Sequence, residues 1–201
     1  MFLIRKLMFA NLLLCAGLVS PVIASTPAAA VEEWVKYTSE ENGFLVELPK
    51  KPNHVDQSID VPKTNLKIRY STFVSEPSES AVYVVSVWHY PTDIDMSRPE
   101  VNLKDGFSGM LSALPGSKVI ENNVEEYNGF KSLNFLVKNE DIYFQGRLIL
   151  VYNTLYQVFT VYKESEAPQM KADYCHFIDS FKLLHPEKNK TAASSAPKMN
   201  V

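Results

Sequence analysis

The sequence has few of the residues on which small metal or disulfide modules depend. Its 201 residues include 2 cysteines and 7 glycines, which excludes a disulfide scaffold, a cysteine-rich zinc module and a collagen-like repeat. An excess of one charge is also missing, because 20 basic residues stand against 23 acidic ones. A dedicated nucleic-acid binder needs a basic stripe, so we expect no nucleic-acid partner. The apolar fraction of 46% is typical of an ordinary globular protein.

The N-terminus has the layout of a secretory signal. Arg5 and Lys6 precede an apolar run over 7–19 that only Asn11 interrupts. This run is shorter than the roughly 20 residues that a membrane-spanning helix needs. The small residue Ala24 marks the cleavage site that we favour. We therefore predict a signal peptide over 1–24, an exported protein that is periplasmic or secreted, and no transmembrane anchor after signal removal.

Two other interpretations of the N-terminus are weaker. Three alanines at 28–30 offer a second cleavage site, and Cys15 offers a position for a lipid. The residue before Cys15 is Leu14, whereas a lipoprotein signal has a small residue there. The leader carries two basic residues and no acid, so its removal changes the formal charge from −3 to −5. Cys175 then remains as the single cysteine, and no intramolecular disulfide can form.

Composition divides the rest of the chain into three parts. We predict a linker over 25–30, a single domain over 31–185 and a disordered tail over 186–201. The tail is rich in Lys, Asn, Ser and Ala and has no apolar period. A domain of this length buries roughly 70% of the surface of its unfolded chain.

Alternation of side-chain polarity predicts most of the strands. Several segments, such as 81–90 and 142–152, have apolar residues in both alternating sets, which is typical of strands covered on both faces. The segment 118–127 is polar and peripheral, and 50–62 has no sustained period and is predicted to be a loop. The predicted strands are 34–39, 44–48, 66–72, 81–90, 118–127, 130–138, 142–152 and 155–163.

Two segments have helical spacing. Ser97 and Glu100 match a capping box ahead of the first helix, which Pro115 ends. Ser165 opens the second helix, with Pro168 in its first turn. The apolar stripe of the second helix contains Met170, Tyr174, Phe177, Phe181 and Leu184. Two helices and two-sided strands predict an α+β fold, namely an α/β/α sandwich with a mostly antiparallel central sheet and helices on both faces.

Three segments carry a family resemblance. Trp34 and Tyr37 come first, Gly43-Phe44-Leu45-Val46-Glu47-Leu48-Pro49 follows, and Phe177-Ile178-Asp179-Ser180-Phe181-Lys182-Leu183 closes the domain. In this order they resemble the Mog1/PsbP-like superfamily, which implies an α/β/α sandwich about an antiparallel sheet. Its members include a Ran-binding nuclear transport factor, an extrinsic photosystem subunit and exported bacterial proteins. No functional residue of the first two is matched here, so the resemblance implies only an accessory, binding role.

Catalytic and metal-binding motifs are incomplete. Gly106-Phe107-Ser108-Gly109-Met110 has Met110 where a nucleophile elbow needs its second glycine. A calcium-loop pattern from Asp93 has Arg98 and Lys104 where it needs Gly and Glu. A P-loop, a dinucleotide fingerprint and an HExxH motif are also missing from the sequence. We therefore predict no cofactor, no bound metal and no enzyme activity.

One cluster of reactive groups falls on the second helix. His176 is spaced three residues from both Asp173 and Asp179, so these side chains can share a metal ion or a proton. The favoured interpretation is a solvated histidine beside two acids. We predict that Cys175 is a small buried residue rather than a nucleophile. A hydrolase that uses His176 with Asp179 is the least favoured function.

The favoured function is that of an exported, noncatalytic accessory protein that binds a protein or envelope partner. Lys50, Lys51, His54 and Lys63 belong to or border the predicted loop, and their local positive charge contrasts with the acidic mature chain, so we predict that they bind the partner. The alternative is a carrier of a small ligand or lipid, with a pocket between helix and sheet. The aromatic residues proposed for that pocket are Trp88, Tyr90, Tyr143 and Tyr162.

Overall fold

The computed structural model describes residues 34–62, 64–187 and 189. The predicted signal at 1–24, the linker at 25–30 and most of the tail lie outside the described residues, as does Lys63. No helix within the described residues is long and apolar enough to cross a membrane.

The described elements begin with five strands and a helix, continue with four strands and a second helix, and end with a short strand. The first group is β1 (Val35–Ser39), β2 (Phe44–Leu48), β3 (Asn53–Asp60), β4 (Lys67–Ser75), β5 (Ala81–His89) and α1 (Pro99–Ser112). The second group is β6 (Lys118–Tyr127), β7 (Phe130–Asn139), β8 (Ile142–Val151), β9 (Thr154–Lys163), α2 (Ala167–Ser180) and β10 (Lys182–Leu183).

The strands form two antiparallel sheets. A seven-stranded sheet has the order β3-β4-β5-β9-β8-β7-β6, and a three-stranded sheet has the order β1-β2-β10. Short turns join β7, β8 and β9, with Glu140 and Tyr152 at positive φ angles of 54° and 53°. The prediction of an α+β fold with mostly antiparallel sheet is confirmed.

Two hydrophobic clusters pack against the seven-stranded sheet. The buried residues of α1 belong to the first cluster, and those of α2 belong to the second. Consecutive residues of β5 divide between them, with Val84 in the first and Val85 in the second. Since successive side chains of a strand point to opposite faces, the two clusters lie on opposite faces of this sheet. The three-stranded sheet contributes Phe44, Val46 and Leu48 to the second cluster, all with 0% exposure.

The prediction of a loop over 50–62 is wrong, because β3 lies within it. This strand pairs with β4 from Asn53 opposite Val74 to Asp60 opposite Lys67 and forms an edge of the large sheet. Almost every residue of β3 is exposed. Burial therefore imposes no alternation on its sequence, and backbone pairing with β4 makes it a strand.

Both predicted helix starts need correction. Arg98, not Ser97, is the N-cap of α1, and it makes no side-chain cap hydrogen bond. The Ser97 amide instead donates to the Asp95 carboxylate at 2.9 Å. Helix α2 begins at Ala167, after a short 3₁₀ turn over Glu164–Glu166, and ends at Ser180 because Phe181 has extended angles.

Candidate functional site

A polar groove lies between the three-stranded sheet and the C-terminal part of α2. Its volume is about 450 Å³, and it is open to solvent. Lys36, Leu45, Glu47, His176, Asp179, Ser180 and Lys182 line it.

The alternation of β2 builds the floor of this groove. Phe44, Val46 and Leu48 are buried in the core, so Leu45 and Glu47 point the opposite way and stay half-buried. The register places Lys36 of β1 opposite Glu47 and Lys182 of β10 opposite Leu45. Directly opposite residues share a face of a sheet. Both lysines therefore lie on the groove side of β2, one to each side of it.

His176 and Glu47 form the shortest polar contact of the groove. The imidazole Nε2 lies 2.6 Å from Glu47 Oε2, although the two residues are 129 positions apart. The side chains are 45% and 39% exposed, so the pair lies at the boundary with solvent. The Trp34 ring stacks on the imidazole, with a centroid distance of 4.3 Å and an interplanar angle of 33°. This contact and the Glu47 carboxylate together orient the imidazole.

The sequence pattern paired His176 with Asp173 and Asp179, but its hydrogen bond goes to Glu47. Burial raises the pKa of Asp173, an effect that the nearby His176 partly offsets. Within the described residues, no group of three or more His, Cys, Asp or Glu side chains is arranged to hold a metal ion.

The Ser180 hydroxyl has a structural role. It donates to the carbonyl oxygen of Phe177 at 2.7 Å and accepts from the Glu47 amide at 2.9 Å. Its single hydrogen is therefore directed at the helix backbone rather than at a base. These two bonds attach the end of α2 to β2.

The two lysines of the groove remain available. Glu47 lies opposite Lys36 in the sheet, but its carboxylate is hydrogen bonded to His176. Neither Lys36 nor Lys182 forms an ion pair with a carboxylate of the residues described. Both side chains are exposed, so they can meet a ligand at little desolvation cost.

The basic residues predicted to bind a partner have different environments. Lys50 and Lys51 are exposed in the turn after β2, and the Ser75 hydroxyl donates to the Lys50 carbonyl oxygen at 2.8 Å. Lys63 lies outside the described residues. His54 lies on β3 rather than in a loop, which corrects the expected setting of this residue.

His54 already has close partners. Its ring stacks on Phe73 at a centroid distance of 4.3 Å, and its Nε2 lies 2.8 Å from Asp56 Oδ1. The Ser71 hydroxyl also donates to Asp56 at 2.6 Å, and this hydrogen bond is the main cause that lowers the pKa of Asp56. His54 is therefore paired with an acid, whereas Lys50 and Lys51 form no ion pair with a carboxylate of the described residues.

The prediction that Cys175 is buried is wrong, because its side chain is exposed. The buried residues of α2 are Met170, Phe177 and Ile178. Cys175 lies two residues from Phe177, which is roughly 200° around a helix of 3.6 residues per turn. It therefore faces away from the core.

The aromatic pocket predicted for a carrier is not formed. Trp88 and Tyr90 belong to the cluster of α1, whereas Tyr162 and its neighbour Tyr143 belong to the cluster of α2. The sheet separates the two pairs. Trp88 stacks on Tyr70 with centroids 4.2 Å apart, as expected of core residues.

Comparison with known proteins identifies a fold and no closer relationship. No protein-family model and no curated protein matches the sequence. The solution structure of cyanobacterial PsbP (CyanoP) from Synechocystis sp. PCC 6803 is similar, with a TM-score of 0.53 and 10% identity over 80% of this chain and 98% of that one. A Pseudomonas aeruginosa protein of unknown function, PA94, gives a TM-score of 0.34 and 9% identity, over 83% of this chain and 99% of that one.

The chain therefore has a PsbP-like fold, an α+β arrangement built on antiparallel sheet. This bears out the PsbP part of the resemblance seen in the sequence. At 10% identity the similarity to CyanoP establishes the fold alone. The similarity to PA94 has a lower TM-score and supports no further conclusion.

Proposed function

We propose that the chain is an exported, noncatalytic accessory protein that binds a protein or envelope partner through the groove beside α2. The observation that carries this proposal is the difference in bonding between the polar side chains of the groove. The His176 imidazole is hydrogen bonded to Glu47 and the Ser180 hydroxyl to the helix backbone, whereas Lys36 and Lys182 are exposed and form no ion pair with the described residues.

The internal bonds of the groove favour binding over catalysis. A nucleophilic hydroxyl needs a base within hydrogen-bond reach. The Ser180 hydroxyl donates to the Phe177 carbonyl, and the His176 imidazole faces the Glu47 carboxylate. The Ser180 hydroxyl therefore gives its hydrogen to a backbone carbonyl and not to the imidazole, and its two bonds hold α2 against β2.

Lys50 and Lys51 extend the proposed binding surface. They follow β2 after Pro49, and Lys50 is three residues beyond Glu47, the cross-strand neighbour of Lys36. His54 and Lys63 were proposed with them. The engagement of His54 by Asp56 makes the two lysines the stronger candidates.

Site-specific photo-crosslinking in cells that make the protein naturally tests the binding proposal. A photoreactive amino acid replaces Thr38, which lies opposite Leu45, or Asp179, which lines the groove, so that both lysines stay in place. The matched control replaces Val101, which is 39% exposed on α1 at the opposite face of the sheet. We expect one common adduct from both groove positions and none from Val101. No adduct from the groove, or equal labelling from Val101, would contradict the proposal.

Export and the lack of catalysis have separate tests. Intact-mass analysis of protein from the cell envelope or medium should show a chain that begins at Ser25 with no lipid. A full-length or acylated chain would contradict this maturation. Substrate turnover that is lost in His176→Ala and retained in Val101→Ala would contradict a noncatalytic role.

A further inference from the structure

We infer that the groove binds an acidic, extended segment of a protein partner, with carboxylates at Lys36 and Lys182 and an apolar side chain over Leu45. This inference rests on the proposed function and specifies the chemistry of its partner. The two lysines lie on the strands that flank β2, and Leu45 lies on the strand between them.

The register of the sheet sets the spacing that the partner must match. Lys36 and Lys182 are two strands apart, and their partners on β2 are two residues apart. Their Cα atoms are therefore separated by roughly 12 Å, from a strand spacing of about 4.8 Å and a rise of about 3.4 Å per residue. Side chains at i and i+4 of an extended peptide lie on one side, roughly 13 Å apart. The matching pattern is acid-x-apolar-x-acid.

The availability of Lys36 depends on His176. Glu47 is the residue best placed to pair with Lys36, because the two are directly opposite in the sheet. The imidazole instead lies 2.6 Å from the Glu47 carboxylate. Among the described residues, therefore, a ligand carboxylate that approaches the Lys36 ammonium has no ion pair to displace.

The formal charges of the groove are balanced, since Lys36 and Lys182 stand against Glu47 and Asp179. Recognition of an acidic segment therefore depends on where the two lysines lie rather than on the net charge of the groove. Each lysine can face one carboxylate of the partner, because Lys36 and Lys182 are on different strands.

Isothermal titration of the mature protein with a synthetic peptide tests the inference. The probe is acetyl-Gly-Glu-Ser-Val-Ser-Glu-Gly-amide, and the control peptide has Gln at both Glu positions. We expect measurable binding of the probe and none of the control peptide.

Lys36→Glu and Lys182→Glu should each weaken binding of the probe about tenfold, because attraction becomes repulsion. Lys104→Glu, an equal charge change at an exposed position on α1, is the matched control and should leave affinity within about twofold.

Two further variants test the geometry of the groove. Asp179→Asn removes an acid that repels the probe and should strengthen binding about threefold. His176→Ala should weaken binding of the probe, because it releases the Glu47 carboxylate to pair with Lys36, the residue opposite it in the sheet. Circular dichroism establishes that each variant is folded before titration.

The outcomes separate this inference from the proposed function. Equal weakening by Lys104→Glu, equal binding of the Gln peptide, or no binding of the probe would overturn the acidic-segment inference. Adducts from Thr38 and Asp179 in cells would still support the proposed function in that case. Absence of those adducts would overturn the function, whatever the peptide does.

Discussion

The rings of Tyr83 and Phe177 meet edge to face, with centroids 5.3 Å apart and planes at 84°. Tyr83 belongs to β5 of the large sheet and Phe177 to α2, and their exposures are 2% and 0%. Trp34 packs edge-on against the same tyrosine and also stacks on His176. A continuous series of ring contacts therefore connects the core beneath α2 with the imidazole of the groove.

Phe177→Ala should destabilise the protein by about 3 to 5 kcal/mol, because it removes a fully buried ring and leaves a cavity between α2 and the sheet. Urea unfolding followed by circular dichroism measures this loss. The control Val101→Ala, at an exposed position of α1, should change stability by less than about 0.5 kcal/mol. An unchanged unfolding midpoint for Phe177→Ala would refute the packing described for α2.

Gly146→Ala should be poorly tolerated, because a Cβ at this position would lie 2.2 Å from Phe159 Cβ and 2.4 Å from the Val158 carbonyl oxygen. Backbone must shift to relieve these contacts, so we expect a loss of about 3 kcal/mol or more. Gly116→Ala is the comparison, since its φ of +82° is strained for alanine but no heavy atom lies within 4 Å. It should cost about 1 kcal/mol. Equal losses in thermal or urea unfolding would show that the steric account is wrong.

Tyr174 should lose its phenolic proton only in strong alkali. Burial raises its pKa to about 12, against a smaller lowering by the Arg147 charge. A raised pKa means that folding favours the protonated phenol, so this contribution to stability is present below about pH 10 and is lost between about pH 10 and 12. Titration of tyrosine ring resonances by NMR measures it, with Tyr174→Phe for assignment. Arg147→Gln should move the transition to higher pH, and a shift to lower pH would contradict the charge effect.

Asp56 should titrate below the usual range for aspartate, chiefly because the Ser71 hydroxyl donates to its carboxylate. Ser71→Ala should therefore raise the pKa of Asp56 towards its ordinary value. The depressed pKa adds stability above the unfolded-state pKa, and this is lost as the pH falls through the folded-state pKa. Carboxyl-carbon NMR titration measures the change. Ser58→Ala, on the same strand, is the control and should leave Asp56 unchanged.

Local sequence was sufficient to predict most strands of the seven-stranded sheet. Predicted strands at 81–90, 118–127 and 142–152 correspond to β5, β6 and β8 within one residue at either end. Burial imposes a period on β5 and β8, and that period can be read without knowing which strands pair. The two edge strands, β3 and β6, are exposed and carry no such period. The sequence analysis predicted β6 as a polar, peripheral strand but missed β3.

The sequence predicted less of the candidate site than of the fold. His176 was singled out, but with Asp173 and Asp179, because helical spacing displays neighbours three residues apart. Its actual partner, Glu47, comes from a strand 129 residues earlier. The alternation of β2 indicated that Glu47 points away from the core, and this was the signal that could have identified it as a site residue. Nothing in that segment indicated which helix would lie beside it.

Apolar periodicity and composition were enough to establish the α+β class and most strands and helices of this protein, because these follow from interactions between residues close in sequence. Tertiary structure alone decided the strand order, the exposure of Cys175, the separation of the four aromatic residues into two clusters, and the groove itself. Pairing between distant strands and the docking of α2 against β2 brought together residues that are far apart in sequence. Local periodicity does not reveal such contacts. The charge arrangement of Lys36, Glu47 and His176 is therefore a property of the folded chain.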